Sequence, residues 1–141
     1  MSPAPEKEPA VAPEGADRLF RARRETLGRK ERVRANREFQ EAYAQGRRFH
    51  GRAMVMFLRS GEGAGLRLGV VSSRKVGNAV SRARARRRLR EVFRRNRAAL
   101  ATGDDVILVA RGGAVDAPFA ELRKEFLFLA RKAGILAEGQ A

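Results

Sequence analysis

RLGVVSSRKVGNAVSRARARRRLREVFRRNR, from Arg67 to Arg97, is the stretch on which the fold turns. It begins inside a strand-like run from Leu66 to Ser73, turns through Val76-Gly77-Asn78 and continues as a helix. Gly77 lets the chain leave the strand sharply. Asn78 is a good N-cap, because its short side chain accepts a hydrogen bond from an otherwise orphaned first-turn amide. At 100° per residue Ala85, Leu89, Val92, Phe93 and Leu100 gather on one stripe, with Asn96 among them, as in a helix packed on a core. The rest of the helix surface is cationic: nine of the sixteen residues from Arg82 to Arg97 are Arg, against the single acid Glu91.

Such a helix repels itself, since like charges four residues apart (Arg82 and Arg86, Arg84 and Arg88, Arg86 and Arg90) each cost a few tenths of a kcal/mol. A solvated charged face is the plain reading of a mixed-sign run. A run this one-sided points instead to a polyanion outside the chain, and Arg offers the planar fork that pairs bidentately with phosphate. The whole chain agrees: 141 residues with 43% hydrophobic content suit one domain with one core, and the formal net charge is +15. There is no cysteine, hence no disulfide framework and no Cys-based zinc site, which fits a reducing cytoplasm. No apolar run is long enough to span a bilayer and the N-terminus does not read as a signal peptide, so the expectation is a soluble cytoplasmic protein with no membrane partner.

Upstream, Ala53 to Arg59 and Leu66 to Ser73 read as two strands joined by the loop Gly61-Glu62-Gly63-Ala64-Gly65. Alternation puts Ala53, Val55 and Phe57 on one side and Met54, Met56 and Leu58 on the other, so both faces are apolar and at least one needs a helix over it. The loop is no phosphate loop, because no Gly-Lys-Ser/Thr follows. Asn36 as N-cap and Gly46 as stop bracket a short helix with Phe39, Ala42 and Tyr43 on one face, either packing the core or lining a surface. Downstream, Gly103-Asp104-Asp105 turns into a buried strand from Val106 to Arg111. Asp116, with Pro118 just behind it, opens a last helix whose stripe runs through Leu122, Phe126, Leu129 and Ala130 to about Ala133, closed by Gly134. Residues 1–34 read as an extension: 1–17, with four of the five prolines, as disordered and 18–34 as a basic segment, either helix or extended arm. The domain proper spans 35–135, and 136–141 form a short tail.

Gly77-Asn78-Ala79-Val80, a spacer, Arg82-Ala83-Arg84, then Arg86-Arg87 and Arg90, preceded by Gly69 and Arg74-Lys75, resembles the signature of the protein subunit of bacterial ribonuclease P. The match is specific over about twenty residues, and fainter similarity runs from Asn36 to Leu136. One position departs, since the family's usual Arg-Asn-Arg core has Ala83 at its centre here. The resemblance implies an α/β (α+β) sandwich of order αβββαβα with a left-handed βαβ crossover, although parallel strands are normally joined right-handedly. It implies a first strand near Arg47 to Gly51 that pattern alone does not reveal. It implies binding of a catalytic RNA subunit by Arg74, Lys75, Asn78, Arg82, Arg84, Arg86, Arg87 and Arg90. Phe39, Tyr43, Val55 and Phe57 are then expected to hold the single-stranded 5′ leader of precursor tRNA, aromatic rings being suited to base stacking. Mg2+ is expected as cofactor, held mainly by the RNA subunit.

The residues themselves offer little cutting chemistry. His50 is the sole histidine. Glu38 and Glu41 could share a metal but are more simply first-turn acids compensating a helix dipole. Asp104-Asp105 reads as turn chemistry. No metal-ligand spacing is present, Asn78 being at most a candidate ligand, and no small-molecule site is expected. The alternatives are a basic ribosomal or RNA-chaperone-type binder with no catalytic partner, and a stand-alone metal nuclease.

Overall fold

The computed structural model describes residues 31–137. The expectations for residues 1–30 and for the end of the tail lie outside them. Four strands and four helices follow one another as α1 (Asn36–Gln45), β1 (Arg48–His50), β2 (Met54–Arg59), β3 (Leu68–Val71), α2 (Ala79–Asn96), β4 (Asp105–Ala110), α3 (Gly113–Asp116) and α4 (Phe119–Lys132), with 3-10 turns at Arg74–Val76 and Arg97–Ala99. The order is αβββαβα with one extra turn of helix, α3, before the last element. The sheet runs β1-β2-β4-β3. β1 and β2 pair antiparallel, as do β2 and β4, while β3 and β4 lie parallel and are joined across the sheet by α2.

The alternation in β2 sorts the two faces. Met54, Met56 and Leu58 join Ala85, Leu89, Val92 and Phe93 of α2 and Leu122, Phe126, Leu129 and Ala130 of α4 in the larger core. Val55 and Phe57 turn the other way and join Phe39, Ala42 and Tyr43 of α1 with Val71, Ile107 and Val109. The sheet is therefore covered on both faces, as its two-sided apolar pattern requires. Glu125 of α4 ties the β1–β2 turn to the larger layer, its Oε2 accepting from the amides of Ala53 at 2.9 Å and Met54 at 3.1 Å.

Beyond shifts of one or two residues at strand ends, three differences from the sequence expectation stand out. Ala35, not Asn36, is the N-cap of α1, and no side chain caps that end. Asp116 closes the one-turn α3, so the last helix starts at Phe119 with Pro118 as its N-cap. The chain also joins the sheet before residue 35: Arg32 forms a parallel bridge with Leu68, and the Val33 amide donates to the Leu68 carbonyl at 2.8 Å. The Gly46 stop holds, with φ at 75° in the left-handed region where glycine costs least.

Candidate nucleic-acid interface

The β3-to-α2 turn is built by local capping. Ser73 Oγ accepts from the Lys75 amide at 3.2 Å and fixes the 3-10 turn that carries Arg74 and Lys75. Gly77 then takes φ 144°, beyond the comfortable reach of other residues. Asn78 Oδ1 accepts from the Ser81 amide at 2.9 Å and starts α2. Arg82 folds back along this turn, its Nη1 donating to the Gly77 carbonyl at 2.9 Å. Arg74, Lys75 and Asn78 are exposed, and Arg82 is half-buried beside them.

Along α2 the arginines divide by what they meet. Arg84 Nε donates to the Val115 carbonyl at 2.8 Å, and Arg88 Nη1 donates to the carbonyls of Ala114 at 2.8 Å and Val115 at 3.0 Å. Arg88 Nη2 reaches the Ala117 carbonyl as well. These two side chains fasten α3, whose carbonyls have no long helix to continue into. Near the far end Glu91 accepts from Arg94 Nε at 3.1 Å and Arg95 Nε at 2.7 Å. The Arg94 hydrogen bond, with Arg95 adding to it, holds the Glu91 carboxyl below its ordinary range despite partial burial.

Among the described residues Arg74, Lys75, Arg82, Arg84, Arg86 and Arg87 make no ion pair with a carboxylate. Arg87 is exposed, whereas Arg86 and Arg90 are mostly buried along one edge of the helix, spaced one turn apart with Arg82. The Nε of Arg86 is buried with no hydrogen-bond partner. Burial, with Arg82 close by, pulls its guanidinium below the ordinary value. A shielded cation with nothing opposite it is costly and favours an anion arriving from outside. Ala83 is half-buried between Arg82 and Arg84.

The four residues expected at the leader lie together on the α1 face, but not equally open. Phe39, Val55 and Phe57 are 1%, 4% and 1% exposed, while Tyr43 is half-buried. The close packing has a specific cause: Gly69 has no side chain, and a Cβ there would lie 2.7 Å from the Phe39 ring. Tyr43 stands edge-on to Phe57, with centroids 4.7 Å apart and planes at 89°. In this conformation Tyr43 is the member of the set with a ring surface to offer, and the other three form the floor beneath it.

At the end of that floor lies a group that sequence reasoning missed. Asp105 is wholly buried, not a turn residue, and accepts from Arg59 Nη1 at 2.8 Å, from Arg67 Nε at 3.1 Å and Nη2 at 2.8 Å, and from the amides of Gly65 at 3.1 Å and Arg67 at 3.0 Å. Burial pushes its carboxyl up, but the bonds from Arg67, the two amides and Arg59 outweigh burial and hold it below the ordinary range. Glu38 and Glu41, read as dipole compensators or a metal pair, face Arg67 and Arg59 instead. The available signal was Arg59 itself, which alternation puts on the Val55 and Phe57 side of β2. Asp104 does behave as turn chemistry, its amide donating to Thr102 Oγ1 at 3.1 Å.

No helix among the described residues is long and apolar enough to cross a membrane. One mixed sheet, a cationic helix crossing between its parallel strands and an aromatic face behind it define a strongly basic α+β protein. The ribonuclease P family model matches residues 27–134. The chain is 41% identical over 106 residues to the ribonuclease P protein component of Symbiobacterium thermophilum, covering 74% of this chain and 92% of that one. It is 31% identical over 111 residues to that of Syntrophomonas wolfei, covering 79% and 93%. Among solved structures, the ribonuclease P protein of Staphylococcus aureus superposes with TM-score 0.65 at 27% identity, covering 76% of this chain and 98% of that one. That of Thermotoga maritima gives TM-score 0.63 at 29% identity, covering 72% and 96%. The chain belongs to the ribonuclease P protein component family.

Proposed function

We propose that this chain works in the ribonuclease P particle by holding two RNAs at once. Arg74, Lys75, Asn78, Arg82, Arg84, Arg86, Arg87 and Arg90 bind the catalytic RNA subunit. The observation that carries this is the set of six cations around the β3-to-α2 turn with no carboxylate opposite them. On the α1 face the 5′ leader of precursor tRNA lies against Tyr43, over the floor made by Phe39, Val55 and Phe57. Only precursor carries a leader, so this contact favours substrate over mature tRNA.

The reaction is hydrolysis: water adds at the phosphorus joining leader to tRNA, the bond to the leader's 3′ oxygen breaks, and the tRNA keeps a 5′ phosphate. The protein supplies binding and charge, and the RNA subunit supplies the reacting groups. Mg2+ would be held by RNA oxygens. Among the described residues no three His, Cys, Asp or Glu side chains converge, and Asn78 Oδ1 at the helix start accepts from the Ser81 amide with one lone pair to spare. The proposed location is the cytoplasm.

Reconstitution tests the assignment. Precursor is expected to be cut at physiological salt only when protein and RNA subunit are combined. Cutting by the protein alone, or no gain from adding it to the RNA, would overturn it.

A further inference from the structure

The register of β2 and β4 rules the α1 face into rows: Val55 opposite Val109, Phe57 opposite Ile107, then Arg59 opposite Asp105. Two apolar rows end in an ion pair whose members are 1% and 0% exposed. From Arg59, Nε donates to Glu41 Oε1 at 2.8 Å and Nη2 donates to the Glu62 carbonyl at 2.6 Å. From Arg67, Nη2 lies 3.0 Å from Glu38 Oε2. Glu38 and Glu41 sit three residues apart in the first turns of α1, so two arginines of the sheet layer grip that helix by two carboxylates.

An apolar row would close this edge at least as stably, because desolvating ions offsets most of their attraction. Buried guanidinium forks add direction, donating to carboxylates at fixed distance and angle. What they fix here is α1, and Tyr43 lies on that helix just beyond Glu41. We propose that Glu38 and Glu41 are positioning residues for leader recognition: through Arg67 and Arg59 they set α1 over the sheet, and with it the attitude of the Tyr43 ring against Phe57. The proposal rests on the leader-binding reading of this face.

The test compares Glu41→Gln, Glu38→Gln, the double variant and Tyr43→Ala in the reconstituted holoenzyme. Affinities are measured for precursor, mature tRNA and the RNA subunit, well below each protein's melting temperature. The Glu41 side chain is 39% exposed, so the single Gln variant there keeps a folded member in the series even if the double does not. Loss of one base–aromatic stacking contact weakens binding on the order of tenfold, and the double variant is expected to lose about tenfold for precursor. Mature tRNA and RNA-subunit affinity should be unchanged, and the loss should shrink as the leader is shortened to nothing. Wild-type precursor affinity in folded Gln variants, with Tyr43→Ala impaired, overturns the positioning role and spares the leader-binding reading. Equal loss for precursor and mature tRNA overturns it too, marking a general defect of fold. An unimpaired Tyr43→Ala sinks the leader-binding reading and the positioning role with it.

Discussion

The Phe39 ring occupies the space that a side chain at Gly69 would need, with the ring's Cε1 and Cζ at 2.7 and 2.8 Å from a Cβ built there and Ile107 Cδ1 at 2.9 Å. The Phe39 ring is rigid, and Ile107 Cδ1, though it ends its side chain, is wholly buried with little room to yield. Gly69→Ala must therefore move Phe39, and α1 with it. Overpacking of this kind costs about 1–3 kcal/mol. Denaturant melts should show a lower midpoint with an unchanged slope, and near-ultraviolet signals from Tyr43 should shift. A midpoint equal to wild type would show that α1 lies looser on β3 than described.

Asp105 couples the fold to pH. Its folded-state carboxyl lies below the ordinary value of 3.8, so the unfolded chain takes up the proton first as pH falls. The stabilisation is complete above that ordinary value and is lost as pH drops through the depressed folded one. Asp105→Asn is expected to cost about 3–5 kcal/mol at neutral pH, because Arg59 and Arg67 lose their shared counter-charge. The same change should flatten the acid limb of the stability curve, measured by urea melts between neutral and strongly acidic pH. An acid limb as steep as wild type would assign it to other carboxylates.

Binding to the RNA subunit should depend steeply on salt. Five phosphate contacts from α2 predict a slope of log K against log salt on the order of −3.5 to −4.5. Neutral replacement of Arg82, Arg86 or Arg87 should flatten the slope by about 0.7 to 0.9 each. A slope that does not change with these replacements would move the contact elsewhere.

Arg88 is the control within the same helix. Its donors are spent on the carbonyls of Ala114, Val115 and Ala117. Arg88→Ala should cost about 1.5–3 kcal/mol of stability, the range for hydrogen bonds from a charged donor, with the salt slope kept. A change in slope without loss of stability would reverse the assignment.

Capping can be checked separately. Asn78→Ala removes the acceptor for the Ser81 amide and should cost about 1 kcal/mol. Asn78→Asp keeps an acceptor at the helix N-terminus and should restore stability, read by thermal melts.

The helix α2 was legible in sequence because arginine and leucine are unambiguous and the 3.6-residue period sorts them. Ala85, Leu89, Val92, Phe93 and Asn96 are all buried as the wheel requires. The parallel pairing of β3 with β4 is the one that a strand-helix-strand order favours. β1 was not readable from Arg48-Phe49-His50, three residues being too few to show alternation, and it took the family resemblance to expect it. The α3 turn escaped because Gly112 and Gly113 carry no side-chain signal, which left Asp116 to be read as a start. The buried cluster escaped for another reason. Arg59 and Asp105 are 46 residues apart, and a charge that ends a strand reads as solvent-facing until its partner is placed.

The unmatched cations of α2 give ionic strength two opposite effects. Added electrolyte weakens the hold on a nucleic acid, yet it also relaxes the mutual repulsion among Arg82, Arg86 and Arg87 that the lone protein has to tolerate. The isolated subunit should thus melt higher in concentrated salt, the condition that dissociates the particle, so that shedding its RNA does not mean losing its shape.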